Sequence, residues 1–322
     1  MKAMKAILNG RSAITALAAA AFGMCLAQSE PPHAHKTSSI SVSASATQNS
    51  TTLAKISNVP ILRTANGASL NWSGYAVSAP DVTSVSATFT VPEVGPPGSI
   101  GGLPPNFSAW VGIDGYTSGT VEQTGIAGSW DDKTGTASYS AWWEMYPRSS
   151  STIKKMTVSA GDSITASVTY NGRTSFTLSI ADNTTGESFS TTVSAPAGGS
   201  KIAERSSAEF VVERPATISK GYLTILPLAT FTTDEIFTDA SFTAGGTTMT
   251  LQQAVDNLTE YAGFPDTPPP QPYWEQMTMV GVDDIGNAFP LDSVSSVVGN
   301  SFSATFLDNG TPFPIPGVFR QN

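Results

Sequence analysis

The sequence predicts an all-β protein built as an antiparallel β-sandwich, and three observations carry that expectation. From residue 70 onward, apolar side chains recur with a period of two rather than 3.6. Asn-, Asp- and Gly-containing turns separate the alternating runs at short intervals. Helical patterning is confined to one short stretch, Leu251 to Thr259. Many short strands with regular turns close most readily into two packed antiparallel sheets.

The first elements precede that pattern. Lys2, Lys5 and Arg11 form a positive start, an Ala-rich apolar run follows from Ala13 to Leu26, and Cys25-Leu26-Ala27 offers a small-residue cleavage site. Residues 1–27 are therefore expected to be a secretory signal peptide, too short and too Ala-rich for a membrane span. Phe22-Gly23-Met24 before Cys25 makes a poor lipid-attachment site, so export and an extracellular location are expected. No later stretch has the apolar length to cross a bilayer as a helix. Residues 28–69 are Ser/Thr/Ala-rich, show no sustained alternation and carry Lys36, Lys55 and Arg63 against Glu30 alone. A linker has such a composition. Its basic balance on an acidic body favours a pro-segment removed after export.

The body, residues 70–322, is acidic. Of the 16 Lys+Arg and 25 Asp+Glu in the chain, six basic and one acidic residue precede residue 70, leaving 10 against 24, a formal −14. That charge argues against nucleic acid and anionic membrane partners, and it suits work at low pH. A monomer, without membrane attachment once the signal is gone, is expected. The two histidines, His33 and His35, and the single cysteine, Cys25, all lie near the N-terminus. The body thus has no imidazole for a Ser-His-Asp triad, no thiol nucleophile and none of the usual zinc ligands. No metal or cofactor is expected. Chemistry there must use carboxylates, amides, hydroxyls, lysines or backbone groups.

Within the body, Val85, Ala87, Phe89 and Val91 alternate with Ser86, Thr88 and Thr90. Ile164, Ala166, Val168 and Tyr170 repeat the pattern, as do Phe176, Leu178 and Ile180, and Asn171-Gly172 between these two runs signals a hairpin. Pro265 to Pro272 reads as a loop. Phe302, Ala304 and Phe306 offer one more strand.

Three strands carry an unusual polar face. In Tyr139 to Tyr146, alternation puts Tyr139, Ala141, Trp143 and Met145 on one side and Ser140, Trp142, Glu144 and Tyr146 on the other. A face with Trp, Tyr and a carboxylate resembles the wall of a binding cleft. In Ser207 to Glu213, Ala208, Phe210 and Val212 point inward, and Glu209 points outward with Ser207, Val211 and Glu213. The third strand holds Val121-Glu122-Gln123-Thr124-Gly125.

These segments resemble the glutamic peptidases, the eqolisin family of secreted acid endopeptidases. The matching stretches are Asn71-Trp72-Ser73-Gly74-Tyr75, Ala109 to Gly115, Glu122-Gln123-Thr124-Gly125, Ala141 to Pro147 and Ala208 to Glu213, in the family's order over roughly 71 to 245. The resemblance implies two curved antiparallel sheets of the concanavalin A-like jelly-roll type and protein or peptide substrates. It implies a catalytic dyad of Gln123 and Glu209, with Trp72, Trp110, Asp114, Trp142 and Glu144 lining the cleft. One carboxyl can act as base toward water and then as acid toward the leaving nitrogen, while a glutamine NH₂ donates to the oxyanion. Glu209 is expected in the first role and Gln123 in the second, with Asp114, Glu144 and Trp burial raising the pKa of Glu209. Ser140 stands where the family carries an acidic residue. Pro96 to Pro105 is expected as a flexible loop near the cleft, and residues 265–322 as a C-terminal extension packed against the sandwich.

Two other functions fit the same side chains. Glu144 and Glu209 could be the paired carboxylates of a glycoside hydrolase, although Gln123 has no obvious part in that mechanism. A non-catalytic carbohydrate- or protein-binding module would present the same Trp-lined face. A calcium lectin using Asp131, Asp132, Asp283 and Asp284 lacks a complete ligand loop.

Overall fold

The computed structural model describes residues 55–64, 67–195, 203–219, 222–263 and 266–315. The expected signal peptide, Cys25, both histidines and most of the 28–69 segment lie outside them. The chain divides into two units. One comprises Met1–Leu53 and Val282–Ala288, and its described part is a turn in which Asp283 Oδ1 accepts the backbone N–H groups of Ile285 (3.0 Å) and Asn287 (2.7 Å). The other, Ala54–Gly281 with Phe289–Asn322, contains what is described below, apart from Val282 at the end of one strand.

The expected sandwich is present. Among the described residues, the larger sheet runs in the order Thr259–Glu260, Tyr273–Val282, Trp72–Ser78, Ser207–Glu213, Asn106–Ile113, Val121–Asp131, Thr136–Tyr146 and Ser151–Thr152. The smaller sheet runs Ser188–Ser194, Ser175–Asp182, Ser163–Tyr170, Val82–Thr90, Glu235–Ala244, Phe302–Phe306 and Asp292–Val294. The Asn171-Gly172 hairpin joins Ser163–Tyr170 to Ser175–Asp182, with Tyr170 opposite Phe176. The one helix among the described residues, Leu251–Asn257, starts at a capping box between Thr250 and Gln253.

Period-two patterning explains the core. Val85, Ala87 and Phe89 lie opposite Val168, Ala166 and Ile164, and all six are buried. They meet Ala109, Val111, Ile113, Ala208, Phe210 and Val212 from the inner face of the larger sheet in one apolar cluster. The intervening hydroxyls pair across strands on the outer face of the smaller sheet, as in Thr88 with Thr165 (2.8 Å), Thr177 with Thr192 (2.9 Å) and Ser179 with Ser190 (2.9 Å).

The larger sheet differs, because its central strands are buried on both faces. Every residue of Trp72–Ser78, Asn106–Ile113 and Ser207–Glu213 is buried. The outer face forms a second cluster of Trp72, Ala76, Trp110, Tyr116, Val121, Trp142, Val211, Tyr261, Tyr273 and Met277.

The C-terminal region corrects one expectation. Tyr273–Val282 is not a tail packed against the sandwich. It is a member of the larger sheet, antiparallel to Trp72–Ser78, with Glu275 opposite Ala76. Its alternating Tyr273, Glu275 and Met277 complete the outer face. Arg214, fully buried, ties this region in through the carbonyls of Leu70 (2.5 Å), Val280 (3.3 Å) and Thr311 (3.4 Å). Pro96 to Pro105 meets the Asp131–Thr136 hairpin, where Gly98 N–H donates to Asp132 Oδ1 at 2.9 Å.

Candidate active site

Strand register assembles the site. One row crosses the outer face of the larger sheet in the order Glu275, Ala76, Glu209, Gly112, Gln123 and Glu144. Side chains in such a row share a face, spaced by about 4.8 Å per strand. Gln123 and Glu209 therefore flank Gly112, with strands roughly 10 Å apart. A Cβ on Gly112 would lie 2.8 Å from Trp110 Cζ3. The next row reads Met277, Gly74, Val211, Trp110, Gly125 and Trp142. Here Gly125 lets two tryptophans flank one strand, because a Cβ would sit 2.1 Å from Ala109 O. Trp72 packs edge-on against Trp110, with centroids 4.9 Å apart.

A segment of the chain itself lies over this face. Gln123 Nε2 donates to the Asn58 carbonyl at 3.1 Å and to Glu144 Oε2 at 3.1 Å. Glu144 also accepts from Ser57 Oγ (2.7 Å) and from Asn58 N–H (3.2 Å). Val59 N–H donates to Glu213 Oε1 at 3.1 Å, and Val59 O accepts from Trp72 Nε1 at 2.9 Å and Asn71 Nδ2 at 3.1 Å. Trp110 Nε1 donates to Glu213 Oε2 at 2.8 Å. Every backbone donor and acceptor from Asn58 N to Val59 O thus meets a side chain of the site, as an extended peptide does in a groove.

Glu209 is fully buried, and neither carboxyl oxygen accepts a well-formed hydrogen bond. Gln123 Oε1 is likewise buried without a partner. Burial pushes Glu209 well above the usual carboxylate range. The Ser207 hydroxyl offsets part of that, and the charges of Asp114 and Glu122 add to it. Burial drives Glu144 up to about 8 against its hydrogen bonds from Ser57, Asn58 and Gln123. Glu213 is raised by burial and by Glu144, against its bonds from Trp110, Val59 and Asn71. In the covered site burial thus favours the neutral form of each of these acids.

The structure thus brings Trp72, Trp110, Gln123, Trp142, Glu144 and Glu209 to one face. Asp114 stands apart. Its carboxylate accepts the backbone N–H groups of Arg205 (2.8 Å) and Ser206 (2.9 Å) and holds the loop leading into Ser207–Glu213. It shares no hydrogen-bond partner with Glu144. Ser140 lies opposite Ala127, in the row of Glu213 rather than that of Glu144. Sequence reasoning did not single out Glu213, Asn71, Tyr116 or Glu275. Glu213 was within reach, because it lies four residues beyond Glu209 on the same face. Among the described residues no group of three or more His, Cys, Asp or Glu is placed to hold a metal ion.

The sequence model of the Peptidase A4 family matches residues 70–262, which span every strand of both rows except Tyr273–Val282. The chain belongs to the Peptidase A4 family. This A4 peptidase is 36% identical over 187 residues to scytalidopepsin B of Scytalidium lignicola, covering 57% of this chain and 67% of that one. It is 34% identical over 197 residues to aspergillopepsin-2 of Aspergillus niger, covering 56% and 67% respectively. Its fold is similar to that of scytalido-glutamic peptidase crystallised with a peptide-based transition-state analogue, with TM-score 0.56 and 28% identity over 74% of this chain and 98% of that one. It is a glutamic-type endopeptidase, a hydrolase acting on peptide bonds. Glycoside hydrolysis and passive carbohydrate binding are set aside by that membership.

Proposed function

We propose that this chain is a secreted acid endopeptidase in which Gln123 and Glu209 act as a dyad and residues 28–69 form a pro-segment. The observation that carries this is the bond from Gln123 Nε2 to the Asn58 carbonyl, 3.1 Å long. A peptide carbonyl there has an amide donor beside it and a carboxyl across Gly112. Glu209 as base would take a proton from water, and the hydroxide would attack the scissile carbonyl. Gln123 would donate to the resulting oxyanion. Glu209, now protonated, would return the proton to the leaving nitrogen. Glu213 and Glu144 would accept the backbone N–H groups of the substrate, as they accept those of Val59 and Asn58, and Trp72, Trp110 and Trp142 would wall the cleft. Asp114 would act on Glu209 through its charge and through the Arg205–Ser206 loop.

While Ser57–Arg63 covers the site, burial favours the neutral form of Glu209 and substrate has no access. Removal of that segment admits water, which lowers the pKa of Glu209 toward the ordinary glutamate value of about 4.3. Base catalysis then becomes available in acid. The experiment is to incubate the secreted protein at acid and neutral pH, sequence its N-terminus and assay hydrolysis of denatured protein. Glu209→Gln is expected to lower turnover by about 10³-fold or more, and Gln123→Ala by about 10²-fold or more. Wild-type turnover in both variants refutes the dyad. A chain that is fully active with its N-terminus still upstream of Ser57 refutes the pro-segment.

A further inference from the structure

Arg63 ends the covering segment, and its side chain is held unlike any other there. Its Nη1 lies 2.7 Å from Glu275 Oε2. Its guanidinium carbon sits 4.1 Å over the Tyr116 ring and 5.8 Å from that of Tyr261. Tyr116 Oη donates to the same Glu275 oxygen. Tyr273 closes the arrangement, 6.3 Å from Tyr116 and 5.6 Å from Tyr261 between ring centroids. Glu275 itself is fully buried, and its Oε1 accepts no hydrogen bond. The result is an aromatic cage with a carboxylate floor, a design that selects an organic cation.

We propose that this cage is a substrate subsite for a basic side chain, arginine before lysine, which Arg63 fills only until the N-terminal segment is removed. This rests on the reading of Ser57–Arg63 as a pro-segment. A buried carboxylate stripped of its cation is costly, so the emptied cage favours a new one. A planar guanidinium can lie over the Tyr116 ring while it donates to Glu275, as Arg63 does, whereas a compact ammonium has no flat face to stack. The place in the substrate follows from the backbone. With the Asn58 carbonyl at Gln123, Arg63 is the fifth residue after the scissile bond. Four strand spacings separate Gln123 from Glu275, about 19 Å, and five extended residues span about 17 Å, which the arginine side chain completes. Glu275 and Tyr273 lie beyond residue 262, where the family's sequence model stops matching.

The test uses full-length protein matured by acid incubation, with its new N-terminus read. A labelled peptide of the sequence Ile56–Thr64 and its Arg63→Lys, Arg63→Gln and Arg63→Glu counterparts are titrated by fluorescence anisotropy into matured wild type and Glu275→Gln. The arginine peptide is expected to bind wild type roughly tenfold or more tightly than the glutamine peptide, with lysine between them. Glu275→Gln is expected to abolish that difference. Equal affinities in wild type, or the same ratio in both proteins, overturn the proposal. So does an N-terminus that stays upstream of Arg63 with no saturable binding. Should Glu275→Gln fail to fold, the peptide series on wild type decides, and glutamine or glutamate binding as well as arginine overturns it. Binding is read without turnover. Arginine preference in a protein whose Glu209→Gln variant still matures and cleaves denatured protein at the wild-type rate therefore refutes the dyad and keeps the cage, and cleavage by matured protein without preference does the reverse.

Discussion

Gln123 and Glu209 face the same side of the larger sheet in strict register on either side of Gly112, which itself contributes no side chain. Neither bonds to the other. Gln123 spends its amide protons on Asn58 O and Glu144, while Glu209 keeps both oxygens without a well-formed bond. The gap between them has the width of one strand and a peptide carbonyl at its Gln123 side.

That gap depends on Gly112. In Gly112→Ala the new Cβ would meet the far edge of the Trp110 ring at 2.8 Å and Gln123 Cβ at 3.3 Å. The Trp110 ring can tilt away, whereas Gln123 Cβ and the Glu122 carbonyl, also at 3.3 Å, give by only a few tenths of an ångström. The variant is expected to fold with a loss of about 1–3 kcal/mol and to lose activity disproportionately, because Trp110 and Gln123 move. Urea melts alongside kcat/KM on one peptide check this, and unchanged kcat/KM would show that the gap tolerates a methyl group.

Gly125→Ala is expected to behave differently. Its Cβ would lie 2.1 Å from the backbone carbonyl of Ala109 in the neighbouring strand, and backbone cannot step aside without breaking the ladder. A destabilisation of more than about 3 kcal/mol is expected, seen as loss of soluble protein or a collapse in the thermal midpoint. A midpoint equal to that of Gly112→Ala contradicts it.

Stability is expected to be highest in acid. Burial raises Glu144 from 4.5 to about 8 and Asp292 from 3.8 to about 7, and it raises Glu209, Glu213 and Glu235 in the same direction. A raised carboxyl binds its proton more tightly in the folded state than in the unfolded one. Its stabilisation is complete below the unfolded value and is lost as pH climbs through the folded one. For Glu144 and Asp292 that window runs from about 4 to about 8. Thermal melts of the full chain are expected to fall progressively across it. A midpoint that rises from pH 4 to 8 contradicts the assignment.

The covering segment can be loosened without touching Gln123 or Glu209. Ser57 Oγ donates to Glu144 at 2.7 Å, and Ser57→Ala removes that bond alone. Acid maturation is expected to run several-fold faster, in keeping with loss of a hydrogen bond to a neutral acid, worth about 0.5–1.5 kcal/mol. Gel time courses from a common starting pH measure it. An unchanged rate would mean that opening of the segment does not limit maturation.

Period-two alternation alone determined that the body is a sandwich, because it dictates which side chains face inward. It placed Ala208, Phe210 and Val212 in the core and turned Glu209 and Glu213 outward. The Asn171-Gly172 turn and the strand Phe302–Phe306 were legible for the same local reason. The family's motifs, in order, named Gln123 and Glu209. The partnership between strands was not legible, because register joins residues far apart in the chain. Only the folded sheet set Gly112 between the two side chains, brought Glu275 from the C-terminal region into their row and turned Asp114 toward Arg205 and Ser206. Nor does any local pattern show that Asn58 and Val59, in a stretch without alternation, satisfy their backbone groups on Gln123, Glu144, Glu213 and Trp72. Such a segment has no structure of its own to announce, and its conformation is imposed by the groove it fills.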